Sequence, residues 1–319
     1  MSEKITKLSD AQTAMIPKYI EKWINIGINT DRIEYDRTID IIHDVQEHLL
    51  NKPKTPVLIF DNPIEAWVAC NFAHNHDVKP NDLPKAVDDY FSGKNKIELD
   101  AFCVPYLAGS FDANIFAFYD FFRDEVGISY GDYNKKYDIW KSTSELGLIF
   151  PLENVCIVSQ KPTKVSLNEA RVAHCDGAEA ISYAGRGNLN IFMLNGTRVP
   201  DWLATTHSTK IDLKKYNEIK NADVKMEFVR KVGIERMLKL GKKLDDYTKY
   251  TDKLIKSSKY ELWDMKSLFV GVDYAPHLKM LNQTTSTWHC EAVSPHCKTI
   301  TDAIADRLNG RDIEIVKIA

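Results

Sequence analysis

Through the first 150 residues, apolar positions recur at helical spacing. Between residues 9 and 28, Ile16, Ile20, Trp23, Ile24 and Ile28 fall three or four apart. That pattern predicts a helix, with Ser9 and Gln12 placed for a capping box at its start. Pro17 is expected to mark an early turn or a break. A second helix is predicted over Thr38–Leu50, with Ile41, Ile42, Val45 and Leu49 on one side. Residues 56–60 (PVLIF) read as a short buried strand, and Asp61-Asn62-Pro63 as the turn that starts a helix through Trp67 and Phe72. Over residues 110–126, Phe111, Ile115, Phe118 and Phe122 form an aromatic stripe, which predicts a face turned to the core.

The texture changes just before residue 150. Leu148–Phe150 and Val155–Val158 are short apolar runs split by Pro151 and closed by Pro162, and they read as strands. Ala178–Tyr183 and Leu189–Leu194 are predicted as a hairpin around the Gly-rich segment 184–188, and Asn195-Gly196 as a second sharp turn. Residues 211–256 return to helix, with Phe228, Val232, Ile234, Met237 and Leu238 apolar among lysines. Strands are expected again at Tyr260–Trp263, Leu268–Val272, His277–Leu281 and Trp288–Val293. A closing helix over Thr299–Leu308 would end at Asn309-Gly310, before a last strand at Ile313–Ile318. The pattern gives an α+β chain: a mainly helical region over 1–146, then a mixed antiparallel β and helical module over 147–319. In that module, strands at 148–202 and 260–293 flank a helical block at 210–259. The two regions are also compatible with one compact domain.

Composition narrows the class. With 44% hydrophobic and 27% charged residues and a net charge of −3, the chain has enough apolar material to fold and too little net charge to favour disorder. MSEKITKLSDAQ lacks the apolar core of a signal peptide, and no apolar run approaches a membrane span. The expectation is a soluble cytoplasmic protein with reduced thiols and no membrane partner, since six cysteines without a Cys-x-x-Cys make no disulfide framework. The net charge conceals an asymmetry. Residues 1–150 carry 16 Lys+Arg against 24 Asp+Glu, whereas residues 210–259 carry 15 against 8. A basic block of that size can meet phosphate, or form a solvated or docked helical face.

Candidate chemistry gathers in the strands. His174-Cys175, His289-Cys290 and His296-Cys297 pair imidazole with thiol, the ligands zinc prefers. Neighbours on a strand point to opposite faces, so each dipeptide would offer one easy ligand, and no metal set is assigned. His289 and Glu291 share a strand face, where a carboxylate can orient or protonate an imidazole; the alternative is a surface ion pair on an edge strand. The segment 289–297 does not fit the zinc deaminase signature, which needs a longer gap and a second Cys after Pro-Cys. Phosphate loops, dinucleotide fingerprints, nucleophile elbows and His-Glu-x-x-His are missing. No cofactor follows from these patterns.

Two stretches carry a resemblance. The first runs from Pro151 to Pro162 (PLENVCIVSQKP) and continues through His174-Cys-Asp-Gly177 to Asn195–Trp202 (NGTRVPDW). The second runs from His277 to Asn282 (HLKMLN) and Trp288 to Val293 (WHCEAV), followed by Lys298-Thr299, Asp302, Ile304 and Arg307. In order and spacing they resemble an uncharacterised domain family of bacteria and phages, and the helical part with Trp23 and Trp67 is similar too. The resemblance implies no activity. Asn195 stands where the family has His, and Ala178-Glu179 where it has Pro-Ala. The matching polar positions suggest catalytic candidates His174, Asp176, Lys279, His289 and Glu291, with Arg198, Asn282, Trp202 and Trp288 as ligand contacts. The same positions also suit turns and caps. Whether the chain is an enzyme stays open. One reading is an enzyme or ligand-binding protein acting on a nucleotide, nucleic acid or small molecule. The alternative is a non-enzymatic protein of phage or mobile-element origin that binds a host protein or nucleic acid through residues 210–259. A third is a self-associating assembly component.

Overall fold

Ser9 caps the first helix as its sequence predicts, with the reciprocal Gln12 contact of a capping box. The computed structural model describes residues 7–94, 99, 106–269 and 271–308. They fall into two compact units, residues 1–174 with 179–192 and residues 175–178 with 193–319. The change of texture near 147 therefore lies inside the first unit. The fold is α+β, with helices concentrated in the N-terminal half and an antiparallel sheet toward the C-terminus. No helix among the described residues is long and apolar enough to cross a membrane.

The first unit holds helices α1 (Asp10–Gly27), α2 (Tyr35–Asp44), α3 (Pro63–Asn75), α4 (Leu83–Phe91), α5 (Ala113–Asp124) and α6 (Asn134–Ser142). Strands β1 (Val57–Phe60), β2 (Ile149–Pro151) and β3 (Cys156–Ser159) form one sheet in the order β1-β3-β2. β3 runs parallel to β1 and antiparallel to β2. It is buried at every position, which is why it reads as an unbroken apolar run. On one side Ile157 packs with Phe60, Val68 and Phe72. On the other, Cys156 and Val158 pack with Ile41, Ile42 and Ile139. Strands β4 (Lys164–Val165), β5 (Ile181–Ser182) and β6 (Asn190–Ile191) make a second small antiparallel sheet.

The turn between β5 and β6 docks on the start of α3. Asn62 caps that helix, accepting from the amide of Glu65 at 2.9 Å, while its Nδ2 donates to the Ala184 and Arg186 carbonyls at 2.9 and 2.8 Å. Buried Glu65 receives the Arg186 amide at 2.5 Å and Nη2 at 3.1 Å. Gly185 sits at φ +85°, and a Cβ there would lie 2.4 Å from Glu65 Oε1.

A second buried carboxylate joins three helices. Asp120 on α5 is fully buried. It accepts from Lys22 of α1 at 3.0 Å and from Tyr137 and Lys141 of α6 at 2.8 and 3.2 Å. Burial alone would raise its pKa; the bonds from Lys22 and Tyr137 and the Lys141 charge outweigh it and hold the carboxyl below its usual range.

The second unit begins with the hairpin of β7 (Met193–Leu194) and β8 (Thr197–Arg198) and continues through α7 (Asp201–Thr205), α8 (Ala222–Val232) and α9 (Ile234–Met237). Then come β9 (Lys242–Asp246), α10 (Lys253–Ser257), β10 (Glu261–Asp264), β11 (Pro276–Asn282), β12 (Thr287–Ala292) and α11 (Ile300–Arg307). The four strands order β12-β11-β10-β9, all antiparallel. Leu262, Leu278 and Met280 pack under Ile255 of α10 and Ile300, Ala303 and Ile304 of α11.

Several expectations need correction. Pro17 lies within continuous α1; both it and Thr13, whose carbonyl it leaves without a helix donor, are exposed to water. The aromatic stripe is not the core face: Phe111 and Phe118 are 52% and 60% exposed, while Phe116 and Phe121 are buried. Both sides of α5 are aromatic, so spacing alone cannot phase it, and the buried side is the one that carries Asp120. The Ala178–Tyr183 and Leu189–Leu194 hairpin shrinks to two-residue strands, with Met193–Leu194 pairing instead across Asn195-Gly196, both at positive φ. The block 211–256 is not all helix: it contains β9, whose KKLDD sequence hides a strand behind charge. Leu268–Val272 yields a 3-10 turn over Lys266–Leu268 and no strand among the described residues. Asn309-Gly310 and Ile313–Ile318 lie outside the described residues.

Two measurements follow. Asp120 has a depressed folded pKa, so its contribution to stability is present above the unfolded carboxyl value of about 4 and is lost as pH falls through the folded value. Asp120→Asn should cost about 1–3 kcal/mol in urea unfolding at pH 7 and should flatten the loss of stability below about pH 4. An unchanged acid limb would show that Asp120 does not carry it. Separately, Gly185→Ala, with both a left-handed backbone and a close approach, should lower stability by about 1–3 kcal/mol.

Candidate nucleic-acid interface

Among the described residues, the eight candidate positions of the second unit do not form one cluster. His174 ends a bridged loop of the first unit, its amide bonded to the Ser166 carbonyl at 2.9 Å. The others belong to the second unit. Asp176 is an anchor: it binds Lys231 Nζ at 2.7 Å, and that nearly buried ammonium also donates to the Ala204 carbonyl at 2.6 Å. Arg198 is exposed on β8. Asn282 closes the β11–β12 turn, its Oδ1 accepting from the Thr284 and Thr285 amides at 3.0 and 3.3 Å.

Register separates the remaining candidates. Lys279 lies opposite Cys290, Met280 opposite His289, and Leu278 opposite Glu291. Side chains alternate along a strand. His289 and Glu291 therefore share the face covered by α11, and Lys279 lies on the other. Glu291 pairs with Arg307 of α11 at 2.5 Å, and His289 Nε2 meets Thr287 Oγ1 at 3.2 Å. Among the described strands β12 lies at the edge of the sheet, and the cation beside Glu291 is Arg307 rather than His289.

On the opposite face Lys279 is fixed. Its Nζ lies 2.7 Å from Glu235 and 3.4 Å from Glu261, and 4.0 Å from the centre of the Trp288 ring. Glu261 also accepts from Lys243 at 2.6 Å and from the Trp263 indole at 3.0 Å. Burial would raise the Glu261 pKa; the Lys243 and Trp263 bonds and the Lys279 charge bring it below the usual value. Beside them, burial pushes the Cys290 thiol up to about 11, so it is not a ready thiolate. Lys279 is spent on positioning Trp288, which stays 37% exposed.

Trp288 borders a groove of about 650 Å³ lined by Tyr216, Lys225, Met226, Arg230 and Ile234. Asn221 caps α8 at its start, and Gly233, at φ +83°, ends it and begins α9. Tyr216 and Trp202 both pack edge-on against buried Phe228, at 5.7 and 6.2 Å. Lys225 lies over Tyr216 at 4.8 Å and Lys215 over Trp202 at 4.4 Å. Trp202 and Tyr216 are thus joined through Phe228, and Tyr216 and Trp288 line the same groove. Among the described residues, Lys214, Lys215, Lys220 and Lys225 have no carboxylate within ion-pair distance. Sequence reasoning marked the basic block but not Tyr216, Lys225, Glu235 or Glu261. The available signal was aromatic residues interleaved with lysine.

The first unit contains a pocket of about 440 Å³ in which the cations Arg32, Arg37 and Lys161 face the carboxylates Asp31, Glu34 and Glu145. Lys161 follows β3 and Asp61 follows β1, so the pocket lies by the carboxyl ends of the parallel pair, a usual ligand position in such sheets. Arg37 is held by Glu145 and Arg32 by Asp61, each at 2.7 Å. Lys161 donates to Asn29 at 2.5 Å, and burial lowers its pKa.

Lys279→Met should leave Glu261 with one fewer cation and Trp288 without its support. The expected outcome is a loss of about 1–3 kcal/mol and a red shift of tryptophan emission. Unchanged emission would show that Lys279 does not position the ring. Compared with known proteins, the chain matches no family model, no curated protein and no solved structure.

Proposed function

We propose that the chain binds nucleic acid, with a single strand lying across Trp202, Tyr216 and Trp288 of its second unit. The observation that carries this reading is partly exposed aromatic rings beside lysines that have no carboxylate within ion-pair distance among the described residues. Bases stack on aromatic faces whatever their identity, at about 1–3 kcal/mol per base. Phosphates meet Lys214, Lys215, Lys220 and Lys225 and release counterions. The wide groove beside Trp288 gives an unstacked base room. No nucleophile or acid–base pair is built among these residues, so they support binding and assign no bond-breaking step.

A second reading rests on the first unit's pocket. There the half-buried Lys161 ammonium, with no carboxylate within ion-pair distance among the described residues, suits a small anion such as a nucleoside phosphate or carboxylate. Under this reading Lys161→Met removes any thermal shift given by such compounds.

The decisive measurement titrates oligothymidine, oligouridine and a duplex of equal length against tryptophan fluorescence across a salt series. With about four phosphate contacts, log K should fall against log salt with a slope of about −3. Replacing both Lys215 and Lys225 by alanine should flatten that slope by about 1.4. Trp288→Ala or Tyr216→Ala should weaken binding by about 1–3 kcal/mol at unchanged slope. A flat salt response, or variants that bind like the wild type, would leave a protein partner as the better reading of this surface.

A further inference from the structure

The three His-Cys dipeptides share composition but not backbone. His289-Cys290 lies on β12, where Cys290 sits across from Lys279 and His289 on the opposite face. His296-Cys297 lies in the turn between β12 and α11, where alternation does not apply. One ligand atom each from His296, Cys297 and Asp306 of α11 lie within 4.8 Å of one another. We propose that these three side chains bind a divalent transition-metal ion of the zinc class.

The chemistry and the surroundings both fit. Thiolate, imidazole and carboxylate together select zinc, or cobalt in its place, over calcium and magnesium. Metal–ligand bonds of about 2.0–2.3 Å in a tetrahedron put ligand atoms roughly 3.3–3.8 Å apart. His296 Nε2 and Asp306 Oδ1 are already 3.8 Å apart. Ser294 prepares both ligands. Its Oγ lies 2.6 Å from His296 Nδ1, leaving Nε2 for an ion, and its amide donates to Asp306 Oδ2 at 2.9 Å, leaving Oδ1. Such outer contacts are what fix ligand orientation at metal sites. The Cys297 backbone is held as well, its amide on the Ser294 carbonyl at 3.0 Å and its carbonyl on the Tyr274 hydroxyl at 2.6 Å. Binding replaces the thiol proton by the metal and releases that proton to solvent. Thiolate and carboxylate balance the ion's two charges, and water fills the fourth position on the side of exposed His296. The ion would staple the turn to α11.

The test uses the full chain, stripped with chelator and titrated with cobalt(II). One equivalent should give a thiolate-to-cobalt charge-transfer band and intense tetrahedral d–d bands, both bleached by zinc. His296→Ala, at an exposed position, should weaken cobalt binding more than tenfold, as should Asp306→Asn. Cys297→Ser should remove the charge-transfer band, and Cys290→Ser should leave it intact. No charge-transfer band at one equivalent would overturn the proposal. So would a band that survives both His296→Ala and Asp306→Asn, since the ion would then sit elsewhere.

Discussion

A carboxylate taken out of water has to be met by cations and donors, and that requirement decides which elements of this chain become neighbours. Asp120, Glu65 and Glu261 are each nearly or fully buried. Each is clamped from segments far along the chain: Asp120 by Lys22 and Lys141, Glu65 by Arg186, Glu261 by Lys243 and Lys279. An apolar contact tolerates sliding, because it is non-directional. A buried carboxylate does not, because losing one partner leaves charge without solvation. Helices α1, α5 and α6 are fixed through Asp120 in this way, and the β5–β6 turn is fixed on α3 through Glu65. Leu262 and Leu278 could pack with their strands shifted by two residues; Glu261 opposite Lys279 selects one register.

The same requirement sorts the lysines of the second unit into two populations. Lys231, Lys243 and Lys279 sit near carboxylates and are used up in holding α7, α8 and the sheet. Lys214, Lys215, Lys220 and Lys225 lie on the 3-10 turn at 213–218 and around the start of α8. Among the described residues their ammonium groups pair with no carboxylate. Net charge over 210–259 counts both populations alike and so overstates what phosphate could use. Lys279 illustrates the difference. It stands in the motif that suggested catalysis, yet its contacts make it the support beneath Trp288.

Legibility followed the same division. Where one physical demand dominates, the sequence was readable: the Ser9 cap, the helix start after Asp61-Asn62-Pro63, the buried run of β3 and the β10, β11 and β12 strands all fall where periodicity, turn and cap chemistry put them. Where two demands compete, it was not. Helix α5 offers aromatic residues on both sides, and only the buried Asp120 decides between them. Strand β9 is nearly all charged, yet Asp245 is buried because Tyr250, Lys249 and the Ile300 amide satisfy it, and those partners lie four to 55 residues away. The motif positions were likewise visible as residues but not as a site. Whether Lys279 and Glu291 face each other depends on strand parity, and their separation of 12 residues spans a turn of unknown length until the register is seen.

Salt distinguishes the buried from the exposed charges. Solvent-exposed charges are screened over about 8 Å at physiological ionic strength, whereas buried pairs are screened far less. Asp120 is fully buried and the Glu261 carboxylate nearly so, while Lys215 and Lys225 lie over exposed or half-exposed rings. Added salt therefore acts first on the exposed lysines, which have no carboxylate partner among the described residues. Any ligand held by phosphate contacts would be released while the clamps that define the fold persist, because the carboxylates that specify the architecture are inside and the lysines left over are outside.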